Sequence, residues 1–173
     1  MFVLSVTVVC GSGCDFIYRL LQKEGAEERD ILGDVVPRVA NPAVVEVQKL
    51  LKLFGYPPGK LDGQLGLNTR NALEKFQNDH HLKTTRFVDN ATWDQLNIFG
   101  DSGLVVGGEV NGGQIQRALK NARINPGALD GKLGRQTQAA IKKFQKAHNL
   151  PPDGVIGYKT LLNLSQFIPE PAP

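Results

Sequence analysis

The chain has 173 residues, of which 41% are hydrophobic and 21% charged, and its formal net charge is +3 at pH 7. Both cysteines, Cys10 and Cys14, lie close to the N-terminus, which excludes a disulfide framework for the rest of the chain. The almost wholly apolar stretch over residues 1–9 is too short to cross a bilayer as a helix.

The first 14 residues have the order of an export signal, in which the apolar stretch is followed by small residues and then by Cys14. This order resembles a bacterial lipoprotein signal, which implies lipidation of Cys14 and a membrane-anchored protein of the cell envelope that faces the wall. Gly11 departs from the resemblance, because an aliphatic residue is usual there, and no Lys or Arg precedes the apolar stretch. A plain secretory signal, giving a secreted or periplasmic protein, and a buried N-terminal strand or helix remain alternatives.

Residues 15–42 are expected to form a tether. Apolar residues between Phe16 and Leu21 have helical spacing, which predicts a short amphipathic helix beside the membrane. Pro37 and Pro42 are expected to keep regular structure from running on into the unit that follows.

Residues 43–97 and 113–165 hold two copies of one unit. A shift of 68 residues aligns Gln48–Leu96 with Gln116–Leu164 without a gap, and 19 of the 49 aligned positions are identical. A gapless repeat of this length indicates a duplicated structural unit.

Each copy has the pattern of three helices. In the first copy, apolar residues at helical spacing run from Val44 to Phe54 and stop before Gly55. The dipeptide Asp62-Gly63 predicts a turn, and two further helices are expected, from residues 66–69 to His80 and over residues 90–97.

The predicted fold is therefore all-α, with two tandem three-helix modules. Between them, residues 98–112 form a Gly-rich spacer, which is expected to leave the modules separate and partly free, although Leu104-Val105-Val106 could pack onto one of them. Residues 166–173 form a Pro-rich tail, of which residues 169–173 are expected to be extended and exposed.

The repeated residues resemble the peptidoglycan-binding domain 1 family. They read Gln-x-x-Leu, then Asp-Gly-x-x-Gly-x-x-Thr-x-x-Ala-(Leu/Ile)-x-x-Phe-Gln, then Leu. The second copy also has Asp153-Gly154, where the first has Thr85-Arg86, so the first copy is expected to lose this turn. The resemblance implies small helical modules that bind peptidoglycan, usually beside a separate wall-acting enzyme.

Ligand-binding residues are expected around the Asp-Gly loop and the starts of the second and third helices, where Tyr offers an apolar face and a hydroxyl. For the two Asp residues, local bonds that close the turn are the alternative, and Gln77 and Gln145 are expected to bond to loop backbone rather than to sugar. The candidates are Tyr56, Asp62, Gln64, Arg70, Asp130, Lys132, Arg135, Gln138 and Tyr158.

Charge separates the two copies. Residues 113–164 carry nine Lys or Arg against two Asp or Glu, a net charge of +7, whereas residues 44–96 carry seven against six, a net charge of +1. A basic face suits an anionic polymer, and peptidoglycan stem peptides carry carboxylates. Nucleic acid is the rival polyanion, but the chain has no base-reading motif and no aromatic-interleaved basic stripe.

No catalytic or metal-binding motif is found in either copy, so no catalytic residue, metal or cofactor is predicted. The predicted function is non-catalytic binding of bacterial peptidoglycan, which would link a membrane-anchored protein to the wall. The alternative is a protein-interaction scaffold of the cell envelope that uses degenerate wall-binding repeats.

Overall fold

The computed structural model describes residues 39–169, and within them it confirms the all-α class with two tandem three-helix modules. The first module consists of α1 (Pro42–Leu53), α2 (Leu67–Asp79) and α3 (Asn90–Leu96). The second consists of α4 (Gly112–Asn121), α5 (Arg135–Ala147) and α6 (Tyr158–Ser165). Between the modules lies a small antiparallel hairpin of β1 (Val105–Val106) and β2 (Glu109–Val110).

The first helix begins earlier than its apolar pattern does. Asn41 caps α1, since its Oδ1 accepts the N–H of Ala43 at 3.0 Å. Pro42 is the first helical residue, where proline is favoured because its missing N–H has no partner to lose. The expectation that Pro42 belongs to the tether and holds back regular structure is therefore wrong, because it starts the helix.

Four helices end in the same way, which fixes the direction in which each following loop leaves. The residue after each C-cap is left-handed, and the next N–H bonds back into the last helical turn, for example from Tyr56 to the Leu51 carbonyl at 2.8 Å and from Leu150 to the Gln145 carbonyl at 2.8 Å. The left-handed residues are Gly55, His81, Arg123 and Asn149.

The two modules pack against each other rather than standing apart. Phe76 and Phe144 are fully buried, and a single hydrophobic cluster contains both of them. Tyr158, at the start of α6, lies against Phe54 of the other module and Phe99 of the spacer, at centroid distances of 5.3 and 5.6 Å. The expected separation of the modules is therefore wrong within the described residues.

The spacer is folded onto the first module. Leu104 and Val105 are buried, which confirms that this segment packs onto a module. Lys49 Nζ on α1 forms an ion pair with Glu109 Oε1 at 2.6 Å. Gly108, with φ +73, lies so close to α1 that a Cβ there would approach Lys49 Cβ to 2.6 Å. These contacts show that the spacer is ordered against the first module, although its five glycines had suggested that it would be partly free.

The start of the predicted tail also packs. Phe167 meets Phe144 edge-on at 5.8 Å and lies 5.7 Å from the ring of His148. The predicted signal, the lipidated Cys14 and the amphipathic helix all lie outside the described residues. Among the described residues, no helix combines the length and apolarity needed to cross a membrane.

Candidate functional site

A buried glutamine holds the first turn of the second module. Gln116 Nε2 donates to Asp130 Oδ1 at 3.0 Å, to the Lys132 carbonyl at 3.0 Å and to Thr137 Oγ1 at 3.3 Å, while Gln116 Oε1 accepts the N–H of Gly131 at 2.8 Å. All of these partners precede or begin α5. We call this arrangement a glutamine clamp, since one carboxamide ties a helix to the turn and to the start of the next helix.

The first module repeats the clamp with Gln48, which is fully buried. Its Nε2 donates to Asp62 Oδ1 and to the Gln64 carbonyl, both at 3.0 Å, and its Oε1 accepts the N–H of Gly63 at 3.0 Å. Gly63 has φ +74, and a Cβ there would lie 2.5 Å from the backbone nitrogen of Asn41, so only glycine fits.

The clamps give Asp62 and Asp130 the local role that was the alternative to ligand binding. Each carboxylate also accepts a backbone N–H two residues ahead, from Gln64 at 3.0 Å and from Lys132 at 2.9 Å. Hydrogen bonds from the clamping glutamine and from this N–H hold the pKa of each aspartate below its usual value.

A second clamp in the second module holds the turn before α6. Gln145 Nε2 donates to Asp153 Oδ1 at 3.0 Å, to the Val155 carbonyl at 2.9 Å and to Thr160 Oγ1 at 3.3 Å. Gln145 Oε1 accepts the N–H of Gly154 at 2.8 Å. The expectation that Gln145 bonds to loop backbone is confirmed.

The first module keeps this second turn although it lacks Asp-Gly. Gln77 Nε2 donates to Thr85 Oγ1 at 2.9 Å and to the Phe87 carbonyl at 2.8 Å, and Gln77 Oε1 accepts the N–H of Arg86 at 2.9 Å. Arg86 has φ +63, against +82 for Gly154. The prediction that the first copy loses this turn is wrong, because the Thr85 hydroxyl replaces the Asp153 carboxylate and Arg86 adopts the glycine conformation.

In the second module the outer face of α5 carries an open groove of about 450 Å³. We call it the α5 groove. Gly154 lies beside it, because a Cβ at that position would be 2.8 Å from Gln138 Oε1 and 3.1 Å from Lys142 Cε. The α5 groove is lined by Leu133, Gly134, Arg135, Gln138, Ala139 and Lys142.

Sequence reasoning found part of this lining. The structure brings the predicted residues Arg135 and Gln138 together in the groove, and the predicted residue Lys132 is exposed in the turn that leads into it. Lys142 was missed, although it lies four residues after Gln138 and therefore on the same helical face, a signal that was present in the sequence.

The corresponding face of the first module is covered by its own side chains. Arg86 Nη2 donates to Asn71 Oδ1 at 2.7 Å, and Arg86 Nε lies 3.3 Å from Glu74 Oε2. The Arg70 guanidinium lies over the ring of Phe87 at 4.6 Å, and Arg70 Nε donates to the Leu65 carbonyl at 2.8 Å. Arg70, a predicted ligand-binding residue, is thus engaged within its own module.

The remaining candidates lie away from this face. Tyr56 donates to Asp79 Oδ2 at 3.0 Å and its ring lies 5.4 Å from Phe76, and burial together with Asp79 raises the pKa of the Tyr56 phenol to about 12. Tyr158 serves the contact between modules, where its hydroxyl accepts a bond from Gln95 Nε2 at 3.2 Å. Gln64 lies in the first turn, where its carbonyl accepts from Gln48.

The lining of the α5 groove suits non-covalent recognition of an anion. It combines a guanidinium, an ammonium and a carboxamide with three non-polar residues, and it contains no carboxylate. Within the described residues, no group of three His, Cys, Asp or Glu side chains is placed to hold a metal ion.

Both modules match one family of known domains. A family model described as a putative peptidoglycan binding domain matches residues 40–96 and 111–164, and these two segments take in α1–α3 and nearly all of α4–α6. The segment between the matches contains the hairpin. No solved structure was found that matches the chain.

Proposed function

Because the chain belongs to the putative peptidoglycan binding domain family, with one family module on each side of the hairpin, we propose that it binds bacterial cell-wall peptidoglycan without acting on it as an enzyme. The observation that carries this proposal is the open α5 groove between the two clamped turns of the second module. The clamps hold the groove in shape before any ligand arrives, which lowers the entropic cost of binding.

The charge of the second module supports the same ligand. Its net charge is +7, and Arg135 and Lys142 place two of these charges in the groove. Stem peptides of peptidoglycan carry carboxylates, and charge-assisted hydrogen bonds to them are stronger than bonds between neutral groups. Such attraction falls when salt shortens the Debye length to about 10 Å or less.

We also propose that the chain links a membrane to the wall in the cell envelope. The apolar leader and Cys14 support a lipid anchor. One acyl chain holds a protein weakly, so a wall contact on the same chain would make retention firm by raising the effective concentration of each attachment. A separate wall-acting enzyme is the partner that such a link would serve.

Co-sedimentation of the full chain with purified, protein-free sacculi tests the wall-binding proposal. We expect retention of the wild type and weaker retention of Lys132→Glu with Arg135→Glu. The matched control, Arg117→Glu with Lys120→Glu, makes the same charge change at exposed positions of α4 and should retain more protein. A wild-type chain that stays in the supernatant at low salt would refute the proposal.

The scaffold alternative is favoured by one observation, which is that Arg86 covers the outer face of α2 in the first module through its contacts with Asn71 and Glu74. It predicts that the full chain captures an envelope protein but is not retained by protein-free sacculi. Double-stranded DNA serves as the polyanion control, since binding to it as strong as to sacculi would indicate non-specific charge attraction.

A further inference from the structure

The two modules can be compared position by position because their clamps match. Gln77 and Gln145 both donate to the carbonyl of the second turn and accept an N–H from it, and the chain numbers of these partners differ by 68. A side chain in one module therefore has a defined counterpart in the other. On the outer faces of α2 and α5, the counterparts differ in a coordinated way.

In the first module the face is filled by a cation that meets an anion. Arg86 reaches across from the turn to Asn71 and Glu74 on α2, with a 2.7 Å hydrogen bond and a 3.3 Å ion-pair distance. Arg86 therefore occupies this face from within the chain, through one hydrogen bond to an amide oxygen and one ion pair in which its Nε makes no hydrogen bond.

The second module lacks a counterpart of the Arg86 side chain, and the residue equivalent to Glu74 is positively charged. Gly154 stands in place of Arg86, Lys142 in place of Glu74, and Ala139 in place of Asn71. The reversal removes both the side chain that fills the face and the carboxylate that would attract a cation. The side chains of Gln138 and Lys142 lie against Gly154, since a Cβ there would be 2.8 Å from Gln138 Oε1 and 3.1 Å from Lys142 Cε. Both side chains line the α5 groove together with Arg135.

An ammonium, a guanidinium and a carboxamide around one space supply N–H donors and positive charge, and the group that complements them is a carboxylate. Val155, the counterpart of Phe87, is 64% exposed and lies next to Gly154, so an apolar contact is available beside the polar one. This combination fits a short peptide with a free carboxylate better than it fits an uncharged sugar.

We propose that the α5 groove binds a free carboxylate of a peptidoglycan stem peptide through Lys142, Arg135 and Gln138, whereas the equivalent face of the first module is occupied by its own Arg86 and takes no wall ligand. This inference rests on the proposed wall binding and adds to it the three side chains that hold the carboxylate and the reason why the first module does not bind.

Single charge reversals on α5 test the claim that the α5 groove binds the carboxylate. In the full chain, Lys142→Glu should lower retention on sacculi about tenfold, whereas Lys143→Glu, an exposed neighbour outside the groove, should change it less than about twofold. Equal losses in the two variants would overturn the assignment of the groove, and so would a Lys142→Glu chain that binds like the wild type. Melting curves establish that both variants are folded.

The chemistry of the probe identifies the anion. Sacculi stripped of phosphate-linked polymers with hydrofluoric acid should retain the chain, and the same sacculi with their carboxylates amidated should not. If the chain is still retained after amidation, the ligand group is not a carboxylate and the proposal is overturned. If retention is lost when the phosphate polymers are removed, the ligand group is a phosphate instead.

Exchanging the differing residues between the two modules tests the claim that Arg86 keeps the first module from binding. Gly154→Arg with Lys142→Glu and Ala139→Asn should close the groove and abolish retention, and in that background Arg86→Gly with Glu74→Lys should open the first module and restore part of it. If the chain is folded and binding is not restored, the claim that Arg86 prevents the first module from binding is overturned. Loss of binding by the wild type itself would instead remove the proposed function, so the two failures are distinguishable.

Discussion

The ring of Tyr158 meets the ring of Phe54 edge-on, with centroids 5.3 Å apart and ring planes at 79°. This contact joins the C-cap of α1 in one module to the first residue of α6 in the other. The ring of His80 lies 5.1 Å from Tyr158, and Gln95 Nε2 donates to the Tyr158 hydroxyl at 3.2 Å. We therefore expect the stability of each module to depend on the other.

The first prediction is that the described region unfolds in one transition. Phe144→Ala should lower the free energy of unfolding by about 3–5 kcal/mol, as truncation of a buried aromatic residue does. Since the single tryptophan, Trp93, lies in the first module, its fluorescence should report the loss together with the circular dichroism of all helices.

Tyr158→Ala provides the control for this coupling. In the Tyr158→Ala background, Phe144→Ala should destabilise the second module alone. The unfolding transition followed by Trp93 fluorescence should then no longer coincide with the transition followed by circular dichroism. If Phe144→Ala in the otherwise native chain leaves the midpoint of the Trp93 fluorescence transition unchanged, the modules unfold independently.

The second prediction concerns the buried clamp. Gln116→Leu should lower the free energy of unfolding by about 2–3 kcal/mol, because the N–H of Gly131 and the Asp130 carboxylate lose their buried partner. The comparison is Gln136→Leu, an exposed position on α5, which should stay within about 0.5 kcal/mol of the wild type. Urea denaturation at pH 7 measures both, and similar values for the two variants would remove the clamp as a stabilising feature.

The third prediction concerns pH. The ring of His80 lies between Phe76 at 4.3 Å and Tyr158 at 5.1 Å, and burial lowers the His80 pKa below its ordinary 6.5, although the nearby Asp79 carboxylate acts in the opposite direction and His81 adds to the lowering. The unfolded chain then binds the proton more readily than the folded one, so stability is complete above about pH 6.5 and declines as pH falls below it.

His80→Phe keeps a ring in this position and removes its titration. The melting temperature of the wild type should fall between pH 7.5 and pH 5 by more than that of His80→Phe. If the melting temperatures of the two proteins fall by the same amount, His80 is not the cause of the lower stability at low pH.

The fourth prediction uses the left-handed residues after the helices. Arg123 has φ +59 one residue beyond the C-cap of α4, a conformation that disfavours any residue with a Cβ. Arg123→Gly should raise the free energy of unfolding by about 0.5–1 kcal/mol. The same replacement at Lys120, inside α4, should lower it by about 1 kcal/mol, and a loss at both positions would contradict the prediction.

The fifth prediction concerns the anchor. Cys14→Ala, expressed with the natural leader, should move the protein from the membrane to the soluble envelope fraction, whereas Cys10→Ala should not. Mass spectrometry of the wild type should show acyl chains on Cys14. An unlipidated wild-type chain in the soluble fraction would leave the proposed link to the membrane without an anchor.

The parts of the fold that depend on near neighbours were predictable from the sequence. The apolar period from Val44 to Phe54 and the breaker at Gly55 gave α1 to within two residues, because periodicity and turn residues act locally. The duplicated pattern gave both modules for the same reason. Pro42 was misplaced because a proline before an apolar pattern either precedes a helix or begins it.

The parts that depend on distant residues were not predictable. Tyr158 is 104 positions from Phe54 in the chain numbering, and nothing near it indicates that it packs on the other module. The Thr85–Arg86 turn was missed because a hydroxyl and a left-handed arginine perform what Asp-Gly does in the other copy. The spacing of eight residues from Gln77 to Thr85 equals that from Gln145 to Asp153, and this spacing was the available signal.

The four clamps have a consequence for amide hydrogen exchange. Loop amides usually exchange quickly, because local fluctuations expose them to water. The loop N–H groups that the glutamine Oε1 atoms accept are instead held by side chains buried in the core, and they can reach solvent only when a clamp opens. Five loop amides should therefore exchange as slowly as the centres of the helices: those of Gly63, Thr85, Arg86, Gly131 and Gly154.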